Sequence, residues 1–99
     1  MIMNQRLAVL IARHVFPQVV EHLGQHFDVE ANDQPVDWSR EELIRRLQGK
    51  AGVFVAAQEP IDATLLGACP GLRAVCSMAV GYNNIDVAAC IARGVTVTN

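Results

Sequence analysis

Short apolar runs alternate with segments of helical periodicity along the whole chain, and this alternation limits the fold more than any other feature. RLAVLIA (Arg6–Ala12), GVFVAA (Gly52–Ala57) and LRAVCSMAV (Leu72–Val80) are continuous apolar runs of strand length. Such runs suit parallel strands covered on both faces. FDVEA (Phe27–Ala31) reads as a shorter strand with polar alternation and VTVTN (Val95–Asn99) as a fifth strand. Between the first two runs, PQVVEHLGQH places Val19, Val20, Leu23 and Phe27 at helical spacing, with Pro17 suited to a first turn. SREELIRRLQG starts with Ser39 as N-cap and Glu42 three residues on, a capping box, and stops at Gly49. Asp62 caps ATLLGACPG, with Leu65 and Leu66 facing inward and Pro70–Gly71 ending it. Asp86 caps VAACIARG, which Gly94 closes. The connections are short, and repeats and low-complexity tracts are absent from the sequence. The pattern predicts an α/β fold with a parallel sheet. Right-handed crossovers then leave few topologies, and the natural one for five strands is a flavodoxin-like, doubly wound sheet of order 2-1-3-4-5, incomplete at its C-terminus.

With 99 residues, 52% of them hydrophobic and 18% charged, the chain is one domain at most and can bury a real core. Its net charge of -2 with only eight Lys+Arg provides no footprint for nucleic acid. Arg40, Arg45, Arg46 and Lys50 alternate with Glu41 and Glu42 and read as a solvated helix face. No segment reaches the roughly 18 uncharged apolar residues that a membrane span needs. The N-terminus lacks a signal peptide's long apolar region, because Arg6 and Arg13 bracket the first apolar run. Cys69, Cys76 and Cys90 form no CxxC pair and sit among apolar neighbours, so buried reduced thiols and a cytoplasmic setting are expected. The chain ends straight after the fifth strand. A bare apolar edge is an association hazard, so either dimerisation or continuation into a longer protein is expected, the second being preferred.

In an open parallel sheet, ligands sit beyond the carboxyl ends of the strands. The candidate segments are ARHVF after the first strand, AQEP after the third and AVGYNN after the fourth. A phosphoacceptor site needs acids after strands one and three, where this chain has Arg13, His14 and Gln58. A flavin phosphate loop fails on RHVFP, and neither Gly-x-Gly-x-x-Gly nor Gly-x-x-x-x-Gly-Lys-Ser/Thr occurs. His22 and His26, at i,i+4, could offer two imidazoles to a metal, but no third ligand accompanies them and a solvated helix face is the reading adopted. His14 reads as a surface turn residue. AVGYNN remains. Its glycine lets a ligand approach main-chain N–H groups without obstruction, and the next helix start adds partial positive charge. The turn could hold a carboxylate or phosphate, or it could be a plain β–α turn in which Asn83 or Asn84 caps.

The stretch LRAVCSMAVGYNNIDVAACIARGVTVTN, preceded by IDATLLGACPG, resembles the N-terminal part of the D-2-hydroxyacid dehydrogenase family, in particular glyoxylate/hydroxypyruvate and 2-ketogluconate reductases. The shared features are the Val-Gly-Tyr-Asn-Asn-Ile-Asp run, a helix ending Arg-Gly and a strand Val-x-Val-Thr-Asn. The likeness is most specific from Ile61 to Asn99. It implies a two-domain enzyme: a flavodoxin-like substrate domain, formed by residues 1–99 and a C-terminal return, facing a Rossmann domain that binds NADP or NAD. It implies that the main-chain amides of Val80 and Gly81 grip the carboxylate of a small 2-keto acid, that Ala57 and Gln58 wall the cleft, and that Ala79 and Tyr82 flank it.

The family's catalytic histidine, its glutamate partner, its arginine and its glycine-rich cofactor turn match nothing in these residues. Residues 1–99 are therefore expected to contribute no catalytic residue, to bind no cofactor or metal by themselves, and to transfer no hydride alone. A homodimer is implied for the full-length parent, with no nucleic-acid or membrane partner. The alternative is a standalone flavodoxin-like module that binds a small anion or a protein. A regulatory domain of ferredoxin-like pattern fits the alternation less well.

Overall fold

The structure, a computed structural model, describes residues 6–79, 81 and 83–98. The elements run β1 (Ala8–Ile11), α1 (Pro17–Gly24), β2 (Asp28–Ala31), α2 (Arg40–Leu47), β3 (Gly52–Val55), α3 (Ala63–Ala68), β4 (Ala74–Ser77), α4 (Val87–Ala92) and β5 (Thr96–Thr98). All strand pairs are parallel, and the order is β2-β1-β3-β4-β5. The expected class and order are both observed, with strands shorter than their apolar runs because the run ends turn into loops.

Local chemistry sets the helix starts. Ser39 Oγ accepts from Glu42 N at 3.1 Å, Asp62 Oδ1 from Leu65 N at 2.9 Å and Asp86 Oδ1 from Ala89 N at 3.0 Å. Only half of the expected capping box forms. The Glu42 carboxylate turns to Arg45 and Arg46 instead of returning to the cap, since two guanidiniums offer stronger bonds than one exposed amide. Gly49 and Gly94 stop their helices at φ 78° and 72°, the left-handed region that glycine enters without strain. The basic residues of α2 are paired as expected: Arg46 reaches Glu30 at 2.8 Å and lies over the Trp38 ring at 4.4 Å, and Lys50 meets Glu30 at 3.0 Å.

The core lies on one face of the sheet. Leu10, Val53, Val55 and Val75 meet Leu43 and Leu47 of α2, Leu65 and Leu66 of α3 and Cys90 of α4, all buried. Each such aliphatic side chain contributes about 1.5–3 kcal/mol of hydrophobic burial.

The expectation that the apolar strands are covered on both faces is corrected for β3 and β4. Register aligns Val9, Gly52, Ala74 and Thr96 in one row of the opposite face and Ile11, Phe54, Cys76 and Thr98 in the next. Among the described residues, this face is covered only at the end near β1 and β2, where α1 packs beside β2. Ile11 is buried there, whereas Phe54 and Cys76 are half-buried and Ala74 and Thr96 are exposed. This leaves an apolar hollow of about 550 Å³ over β3 and β4. The runs look fully buried because the second face carries small apolar residues, which periodicity cannot distinguish from covered ones.

Candidate functional site

At the carboxyl edge of the sheet, three loops are joined by side chains that the sequence reading passed over. Glu59, in the loop after β3, is only 3% exposed. Its Oε1 accepts from Ala56 N at 2.7 Å, and its Oε2 accepts from Arg13 Nη1 at 3.2 Å. Arg13 follows β1 and also pairs with Asp37. That bond and the Glu59 charge raise the guanidinium pKa further, so Arg13 is a permanent cation. Asn32, just past β2, donates to Ala12 O at 3.3 Å and Val36 O at 2.8 Å, which shapes the neighbouring loop.

The turn after β4 is fastened to the same place. Asn84 Nδ2 donates to Ala56 O at 2.8 Å and to Glu59 O at 2.7 Å. Ile61 N donates to Asn84 O at 2.9 Å and Asp86 N to Ile61 O at 2.8 Å, around a parallel bridge of Ile61 with Ile85. On the strand side, Met78 N donates to Val55 O at 2.7 Å and Ala79 N to Ser77 Oγ at 3.2 Å. Met78 and Ala79 are thus anchored on the strand side, and Asn84 on the helix side.

Of the residues singled out from sequence, Val80 and Tyr82 lie outside the described residues. Gly81 is exposed, and a Cβ built on it meets nothing within 4 Å. A side chain at this position would therefore stand in open space. Ala57 and Gln58 are exposed at the adjacent strand end, and Ala79 is half-buried. Asn84 does not cap α4, because Asp86 does. The positive end expected of α4 is answered by that carboxylate and comes from a helix of only six residues, so an anion here would depend on peptide N–H groups rather than on a helix field.

His14 is exposed. His22 and His26 stack edge to face at 5.7 Å on the exposed side of α1, and no cluster of metal-ligating side chains occurs among the described residues. The three thiols are free; burial pushes the Cys69 and Cys90 thiols up, with Asp86 adding to the effect at Cys90. No helix among the described residues is long and apolar enough to cross a membrane. The hollow over β3 and β4 lies on the sheet face, away from this edge, and is lined mainly by apolar residues, with Arg73 at its border.

A signal for the missed pair existed. Arg13 and Glu59 follow strands that the order 2-1-3-4-5 makes neighbours, so opposite charges at one edge could have been matched. Nothing local marked Asn84, whose acceptors lie 28 and 25 residues away.

Comparison with known proteins gives a consistent result. Residues 9–99 match the family model described as D-isomer specific 2-hydroxyacid dehydrogenase, catalytic domain. A glyoxylate reductase of Aeropyrum pernix is 36% identical over 95 residues, covering 96% of this chain and 28% of that protein. A D-3-phosphoglycerate dehydrogenase of Mycobacterium bovis is 36% identical over 91 residues, covering 92% of this chain and 17% of that protein. Among solved structures, an NAD-binding protein of Polaromonas assigned to the D-isomer specific 2-hydroxyacid dehydrogenases superposes with a TM-score of 0.85 at 32% identity, covering 93% of this chain and 29% of that one. The chain therefore spans less than a third of the length of these relatives.

Proposed function

This chain belongs to the D-isomer specific 2-hydroxyacid dehydrogenase family, and on that premise we propose that it forms the N-terminal part of the substrate-binding domain of an NAD(P)H-dependent 2-keto acid reductase. Its role is to hold the substrate carboxylate on the peptide N–H groups of Val80 and Gly81. Ala57 and Gln58 form one wall, and Ala79 and Tyr82 flank the site. The observation that carries the reading is Gly81, exposed at the carboxyl edge of a parallel sheet, with nothing within 4 Å of where a Cβ would stand. Glyoxylate, hydroxypyruvate and 2-ketogluconate are the proposed substrate class, in keeping with the glyoxylate reductase relatives.

In this reading the grip contributes binding and orientation. A carboxylate accepting two peptide N–H bonds is fixed in direction, which places the neighbouring keto carbon at a set point over the β3 loop. The nicotinamide nucleotide supplies hydride to that carbon in enzymes of this type. The residues described here do not fit that nucleotide: the β1–α1 turn, Ala12–Phe16, has no glycine, and its Arg13 is already engaged by Glu59 and Asp37. No hydride step is assigned to them. The uncovered face of β3 to β5 suits the returning C-terminal segment that the resemblance implies. A cytoplasmic setting and a homodimeric parent belong to the same proposal.

The test is an amide-resolved titration of the chain with glyoxylate, and with glycolaldehyde as the uncharged control. Two charge-assisted bonds of about 2 kcal/mol net each correspond to a dissociation constant on the order of 1 mM. A saturable shift of the Gly81 amide with glyoxylate and none with glycolaldehyde is expected. Equal responses to both, or none to either, would overturn the reading.

A further inference from the structure

We infer that Asn84 is the positioning residue of the carboxylate-binding turn: its side chain ties the chain at residue 84 to the Ala56–Glu59 loop, which sets the register between the turn and that loop. This rests on the carboxylate reading above. Both acceptors of Asn84 Nδ2 are carbonyl oxygens, Ala56 O at 2.8 Å and Glu59 O at 2.7 Å. Carbonyls can only accept, so the amide orientation is fixed by chemistry, and both of its N–H bonds are spent on one loop. That loop is itself rigidified from within: Glu59 takes the Ala56 N–H and is held by Arg13. The substrate wall, Ala57 and Gln58, lies between the two carbonyls that Asn84 holds.

The place of Asn84 in the chain strengthens the argument. Beyond it, the main chain secures itself through Ile61 N to Asn84 O and Asp86 N to Ile61 O. Before it, the described anchors are Met78 N to Val55 O and the local bond from Ala79 N to Ser77 Oγ. Among the described residues, Asn84 is therefore the side chain that joins this end of the turn to the Ala56–Glu59 loop. Capping, the other role an asparagine here could serve, is taken by Asp86. Asn83, its neighbour, is exposed.

The experiment compares glyoxylate affinity at the Gly81 amide for the wild-type chain, Asn84→Ala and a control, Ser39→Ala. The control removes a helix cap on α2 and so lowers stability by a similar route without touching the turn. Loss of two hydrogen bonds that orient the turn is expected to weaken Asn84→Ala binding about tenfold while Ser39→Ala binds as wild type. Amide relaxation of Gly81 should show greater fast motion in Asn84→Ala alone. Unchanged affinity in Asn84→Ala, or an equal loss in Ser39→Ala, would overturn the inference and leave the carboxylate reading standing. No response in the wild-type chain would remove both. Should Asn84→Ala fail to fold, Asn84→Ser, which keeps a hydroxyl donor, is judged by the same comparison with Ser39→Ala.

Discussion

Replacing Glu59 by alanine should destabilise the chain by about 2 kcal/mol. The Ala56 N–H, bound at 2.7 Å, would lose its acceptor in a part-buried loop, at a cost of about 1–3 kcal/mol. The ion pair with Arg13, whose side chain is 26% exposed, adds up to about 1 kcal/mol. Against these stands the relief from desolvating a carboxylate that is only 4% exposed, which keeps the total near the lower part of the range. For a domain of this size, 2 kcal/mol corresponds to a fall in Tm of roughly 8–16 °C. Urea and thermal unfolding followed by circular dichroism would measure it. In a cycle with Arg13→Ala, a coupling of about 1 kcal/mol is expected, because the two groups share a bond. A loss below about 0.5 kcal/mol for Glu59→Ala, or no coupling, would refute the claim that this carboxylate organises the loops at the carboxyl edge.

Three further outcomes follow from the same geometry. Gly81→Ala should change stability by no more than about 0.5 kcal/mol, since a Cβ there meets nothing, yet it should weaken glyoxylate binding; calorimetry and the amide titration read the two effects separately. Thiol reagents should label Cys76 before Cys69 and Cys90, because Cys76 lines the open sheet face whereas the other two are buried with raised pKa; equal rates in mass-spectrometric mapping would contradict an uncovered face. Glu30 is held below its ordinary value of 4.5, chiefly by its bond to the Lys50 ammonium, with Arg46 assisting against partial burial. A depressed carboxyl stabilises above the unfolded value and loses that contribution as pH falls through the folded one, so Glu30→Gln should flatten the acid limb of the stability curve below about pH 4.5 and leave its neutral shape alone.

The elements were legible because their signals are local. Ser39, Asp62 and Asp86 each sit three residues before the amide they accept from, and Gly49 and Gly94 mark their own stops. Topology followed from the alternation, since short parallel connections leave few orders. The carboxyl-edge network was not legible, because its bonds join residues far apart in the chain: Arg13 and Glu59 are separated by 46 positions. AQEPID reads as an ordinary polar loop until the neighbouring strand delivers a guanidinium to it. The open sheet face escaped notice for a different reason. Ala74 and Cys76 are apolar in either environment, and only the placement of three helices on one side decides which environment they meet. The turn at Gly81 could be located from sequence, because a glycine there follows a buried run and precedes a helix start, and a Cβ at that position would meet nothing within 4 Å.

A crystal structure of the chain with glyoxylate would test the central claim most directly. A carboxylate oxygen is expected within about 3 Å of the Gly81 nitrogen, on the side facing Ala57 and Gln58. Finding that N–H satisfied by an acceptor within the protein, with the acid absent or bound elsewhere, would contradict it.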